Sequence, residues 1–101
     1  MTVGFVAYHY PRPEHLEEFV DRTRQVSEVM RSVPGFLSAG CWTGTTPDGD
    51  CVVTTGRFTS EEAFQGALTA AGDLGEVVAF DEREQHPRQI HVLHSRFEVT
   101  R

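Results

Sequence analysis

Between residues 51 and 71 the hydrophobic period changes within a few residues, and that change restricts the fold more than any other feature. Cys51, Val52, Val53, Thr54 and Thr55 form a run rich in β-branched residues, which suits a pleated, half-buried backbone. From Ala63 onward the apolar residues return at helical spacing, through Phe64, Ala67, Leu68 and Ala71. Thr59 and Glu62 stand three apart at the junction and read as a capping box, in which hydroxyl and carboxylate each satisfy an otherwise orphaned backbone N–H. Phe58 sits where the strand gives way to the helix, a usual place for a pocket wall.

Residues 3–10 (VGFVAYHY) read as a strand with apolar or aromatic groups on both sides, which requires cover on both sides. One set is Phe5, Ala7 and His9; the other is Val6, Tyr8 and Tyr10. We assign Val6 and Tyr8 to the side facing the helices and His9 to the opposite side. Pro11 and Pro13 end the strand, since proline cannot continue the ladder. A helix is predicted over residues 14–32. Leu16, Phe19, Val20, Thr23, Val26, Met30 and Val33 form its apolar stripe. Glu14, Glu17 and Glu18 come early and Arg31 late, as the helix dipole favours, and Pro34-Gly35 closes it. Residues 36–43 and 51–58 read as two strands joined by a turn with Asp48-Gly49 at its tip. With those two as the loop, Phe58 faces Ala39, Gly56 faces Cys41 and Cys51 faces Thr46, so the cysteines are not opposed and no disulfide is expected. A second helix spans residues 60–71 and stops at Gly72. A short helical piece at 73–80 carries Leu74, Val77 and Phe80, residues 81–88 are a polar connection, and the last strand covers 89–99.

The order β-α-β-β-α-β with right-handed crossovers gives an α+β, ferredoxin-like sandwich: an antiparallel four-stranded sheet with both helices on one face. The bare face carries apolar residues of the first strand and Trp42. A patch of that size calls for a partner, and a second copy packed sheet on sheet is the simplest one.

At 101 residues the chain is a single domain. Its fifteen acids outweigh nine bases, for a net charge of −6, which disfavours nucleic acid or an anionic membrane as a partner, since either would require a basic face. No apolar run is long enough to cross a membrane and the N-terminus has no basic leader, so a cytoplasmic protein with reduced Cys41 and Cys51 is expected.

Four stretches carry a family resemblance: VGFVAYHYPRPEH leading into LEEFV, the helix exit Val33-Pro34-Gly35-Phe36, the Pro47-Asp48-Gly49 hairpin, and Phe58-Thr59-Ser60-Glu61-Glu62-Ala63-Phe64. Together they resemble the antibiotic biosynthesis monooxygenase family of the dimeric α/β barrel group, over nearly the whole chain. The resemblance implies a homodimer of ferredoxin-like halves, each with a pocket between sheet and helices. Its members include cofactor-independent oxygenases of polyketide anthrones and quinols, and haem-degrading oxygenases. The sequence departs from the family where Phe58 replaces the usual strand-end Trp. The Asn and His of the haem-degrading members fall on Val6 and about Val77, so haem degradation is not expected.

Oxygenation without a cofactor needs an electron-rich phenol, a base to deprotonate it and a dry pocket. Of five histidines, His15 opens the long helix and His9 lies on the presumed dimer side. His91 and His94 are three apart on a strand and so point to opposite faces. His94 or His86 is expected to assist proton removal. Val6, Tyr8, Cys41, Thr54, Phe58, Phe64, Leu68 and Phe80 are expected to line the pocket. Trp42 and Arg57 fall on the opposite face, where they could stack across a dimer. No metal site is expected, since the spacing of His86, His91 and His94 cannot converge on an ion along a strand. No cofactor is expected either. The reading is a cofactor-independent monooxygenase of an aromatic polyketide or quinol-like small molecule; the alternatives are a non-catalytic ligand-binding protein or a polyketide cyclase-like enzyme on the same fold.

Overall fold

The computed structural model describes residues 2–72 and 82–101. Strand β1 (Val3–His9) leads through a 3-10 turn (Pro13–His15) into helix α1 (Leu16–Arg31). The hairpin β2 (Phe36–Thr46) and β3 (Gly49–Phe58) follows, then helix α2 (Glu61–Gly72) and strand β4 (Gln89–His94). The four strands form one antiparallel sheet in the order β2-β3-β1-β4. This is the ferredoxin-like α+β arrangement expected from the order of periodicities. The short helical piece expected at 73–80, with Phe80, lies outside the described residues.

The hairpin register differs from expectation by two residues. Thr46 pairs with Gly49, so the loop is Pro47-Asp48 and Cys41 faces Thr54. Gly49 has φ +118° and supplies the left-handed conformation just after the loop. A shift of two preserves which face each residue occupies. A register irregularity between Phe36 and Ser38 then brings Phe36, not Ala39, opposite Phe58.

Strand β1 lies the other way up from the assignment made on sequence. Val3 pairs with Phe58, Phe5 with Gly56 and Ala7 with Thr54, so Val3, Phe5, Ala7 and His9 face the helices. Val6 and Tyr8 lie on the outer face beside Thr55, Val53 and His91. Both sets of β1 are apolar, so alternation alone could not tell them apart.

The core divides into two clusters. Val3, Met30, Phe58, Phe64, Ala67 and Ala71 form one, and Phe19 with Val52 forms the other. Gly35, at φ +90°, closes the larger cluster: a Cβ there would meet Ala63 Cβ at 2.5 Å, and its carbonyl accepts the Thr59 N–H at 2.8 Å. Helix α2 is capped by Ser60, whose Oγ accepts the Ala63 N–H at 3.1 Å, in place of the expected Thr59–Glu62 box. No helix among the described residues is long and apolar enough to cross a membrane.

Candidate active site

Between the two core clusters lies a cavity of about 190 Å³. Phe5 and Ile90 supply its sheet floor, Val26 and Met30 of α1 one wall, and Phe64 and Leu68 of α2 another. Phe5 reaches this position because Gly56 opposite it has no side chain; its ring stacks 5.8 Å from Phe64. Phe58 stands behind these two, wholly buried, 6.5 Å from Phe5 and 5.5 Å from Phe64.

The polar lining includes His9, Thr54 and Arg88, which form one connected set. His9 Nε2 lies 3.3 Å from the Thr54 hydroxyl. On the other side of the ring, Nδ1 stands 3.5 Å from Glu84 Oε1. Glu84 Oε2 accepts a 2.9 Å hydrogen bond from Arg88. Phe19 closes over the imidazole at 4.9 Å between ring centres. Burial, reinforced by the positive charge of Arg88, lowers the pKa of His9 to about 4, so the ring is neutral at pH 7.

Glu84 arrives from the connection before β4, which the sequence presented only as polar. That connection bridges back to the end of β1: Arg12 N–H donates to Arg83 O and Gln85 N–H to Tyr10 O, both at 2.7 Å. The bridge buries the Glu84 carboxylate beside His9.

The expected site residues therefore separate. Thr54, Phe64 and Leu68 line the cavity, and Phe58 supports it. Val6 and Tyr8 do not, because β1 is turned over. Cys41 faces the helix side but sits in a separate surface groove, 3.6 Å from the Thr23 hydroxyl. His94 does point toward the helices, yet it meets Glu61 at 3.6 Å outside the cavity. His86 is exposed and packs edge-on against Tyr10. Arg57 pairs with Glu98 rather than Trp42. Phe80 lies outside the described residues. Sequence reasoning missed His9, Glu84, Arg88, Phe5 and Phe19. The available signal was Gly56: a glycine inside a strand marks a close approach by a large neighbour, and here that neighbour is Phe5. Among the described residues no three of His, Cys, Asp or Glu are grouped to hold a metal.

Solved structures share this fold along nearly their whole length. Rv0793 from Mycobacterium tuberculosis superposes with a TM-score of 0.81 at 20% identity, covering 99% of this chain and 100% of that one. SnoaB from Streptomyces nogalater, a cofactor-independent oxygenase, gives 0.76 at 18% identity over 99% and 98% of the two chains. A monooxygenase from the gene ActVA-Orf6 of Streptomyces coelicolor, solved in complex with the ligand nanaomycin D, gives 0.69 at 25% identity over 99% and 91%. No curated protein matches the sequence. A family model described as antibiotic biosynthesis monooxygenase matches residues 2–72, and with the fold in agreement the chain belongs to that family.

Proposed function

We propose that the protein is a cofactor-independent monooxygenase of a small hydroxy-aromatic or quinol-like compound, acting as a homodimer. The observation that carries this reading is the apolar cavity ending in a neutral His9, Thr54 and a paired Arg88. A cavity of about 150 Å³ lined by apolar side chains already takes up benzene. At about 190 Å³, this one admits one aromatic ring fully and part of a fused neighbour. Phe5, Phe19, Met30 and Phe64 hold the ring. Among the described residues the charges of Arg88 and Glu84 offset each other, so the polar end suits a hydroxyl better than a carboxylate.

In this reading His9 Nε2 takes the phenolic proton transiently, against the burial that disfavours its cation, and the electron pair stays on the substrate oxygen. The resulting anion is electron-rich enough to reduce O2 directly. For an anthrone-like methylene, the overall change is CH2 + O2 → C=O + H2O; the substrate supplies all four electrons, so no external reductant is required. The protein's share is to bind, deprotonate and exclude water. SnoaB and the ActVA-Orf6 monooxygenase support the reaction class by their fold and by their oxygenase activities. The outer face, with Trp42 and Leu93 more than half exposed, supports the dimer.

Oxygen uptake by the purified protein with an anthrone or hydroquinone, after chelation and with no flavin added, tests the proposal. One O2 consumed per substrate is expected. Tight binding without uptake across a panel would instead assign a ligand-binding role, and anaerobic ring closure with loss of water would assign a cyclase.

A further inference from the structure

We propose that Glu84 is a positioning residue that fixes His9 as its Nδ1–H tautomer and so leaves the Nε2 lone pair toward Thr54 and the cavity. The two side chains are 9% and 4% exposed. Nδ1 and Oε1 face each other at 3.5 Å, and neither atom has a hydrogen-bond partner. An orphaned buried polar atom is costly.

The position of one proton decides the matter. On Nε2, it would leave the Nδ1 lone pair directed at a carboxylate oxygen, two acceptors opposed in a dry site. On Nδ1, it turns the 3.5 Å approach to Oε1 from repulsive to attractive. The partner of one ring nitrogen sets the state of the other, as with histidines generally. Nε2 then accepts from the Thr54 hydroxyl, 3.3 Å away.

The carboxylate is well placed to impose this. Arg88 holds its second oxygen at 2.9 Å, and the bridge to residues 10–12 fixes its backbone. The Phe19 ring packs against the imidazole. Sequence places His9 and Glu84 75 residues apart, yet the bridge between Pro11 and Glu84 makes them neighbours.

The consequence for catalysis rests on the proposed function above. When Nε2 takes the substrate's hydroxyl proton, the Glu84 carboxylate offsets part of what burial and Arg88 set against the imidazolium. The Nδ1 proton stays between His9 and Glu84, and nothing else changes hands.

The test is ¹⁵N NMR of histidine-labelled protein without ligand, with the His9 signals identified by their loss in His9→Gln. Wild type should show His9 protonated at Nδ1 and bare at Nε2 at pH 7. Glu84→Gln, which keeps an acceptor oxygen, should retain that tautomer, and Glu84→Leu should release it to a mixture. An Nε2–H tautomer in wild type overturns the proposal, as does an unchanged tautomer in Glu84→Leu; should that variant fail to fold, the wild-type spectrum decides. If oxygen uptake is found, Glu84→Gln should lower kcat on the order of tenfold, part of the 10²–10⁴ that a positioned base supplies, with KM held. A correct tautomer with no uptake on any substrate would sink the oxygenase reading and leave this one standing.

Discussion

The ring of Phe5 occupies the space that a side chain at Gly56 would need. A Cβ on Gly56 would stand 2.4 Å from Phe5 Cε1, well inside contact distance. Gly56→Ala should therefore push the ring toward the cavity and destabilise the fold by about 1–3 kcal/mol, the usual cost of overpacking. Urea unfolding measures the loss. A Gly56→Ala, Phe5→Leu double variant should recover part of it, because the two changes share one contact.

Phe58 is wholly buried and packs against Phe5, Phe36 and Phe64. Phe58→Ala should cost about 3–5 kcal/mol and enlarge the cavity from behind. Phe58→Leu should cost less and leave a folded protein with a looser pocket. Ligand titration of the leucine variant gives the check: unaltered affinity would mean that the binding wall lies elsewhere.

The hydroxyl that opens α2 belongs to Ser60, with its 3.1 Å bond to the Ala63 N–H. Ser60→Ala should lose about 1 kcal/mol by thermal or chemical unfolding. Thr59→Ala should lose less, since its backbone N–H, not its hydroxyl, makes the bond to Gly35. Equal losses would restore the capping box that the sequence suggested.

His9 should make stability fall as the solution is acidified. Its pKa in the fold is about 4, below the ordinary 6.5, because burial penalises the cation and Arg88 repels it. The unfolded chain therefore binds more protons than the folded one between those values. The contribution is fully present above pH 6.5 and is lost as pH falls through 4. A shift of that size corresponds to about 3 kcal/mol. The difference in urea stability between wild type and His9→Gln, followed from pH 7 to 4, isolates it. A constant difference would place the His9 pKa near its ordinary value.

Trp42 offers a handle on association. It is 65% exposed on the face that neither α1 nor α2 covers. Trp42→Glu should leave the fold intact and convert a dimeric mass to a monomeric one in micromolar sedimentation. A monomeric wild type would remove the dimer from the proposal.

Much of the fold was readable because period and punctuation agree. The α1 stripe runs from Leu16 to Val33, the prolines bracket it, and the β3–α2 junction changes period within a few residues. The site was less readable, for local reasons. Pro47-Asp48-Gly49 offers two adjacent two-residue loops, and the protein uses the first. Strand β1 carries apolar residues on both sides, so only its pairing with β3 reveals that His9 and not Tyr8 faces the helices. Ser60 and Thr59 are equivalent caps until the backbone chooses one. Glu84 reads as a solvated acid in a charged stretch, and only the bridge to Pro11 buries it.

The indole of Trp42 lies across Gly40, where a Cβ would meet its Nε1 at 3.0 Å, on the sheet surface opposite the cavity. It is the sole tryptophan in the chain. The protein thus carries an optical reporter on one side only. Its emission shifts to the blue when another surface covers the sheet, and keeps its position when a non-absorbing ligand fills the space beneath the helices. Fluorescence can therefore follow assembly separately from ligand uptake, with no label added.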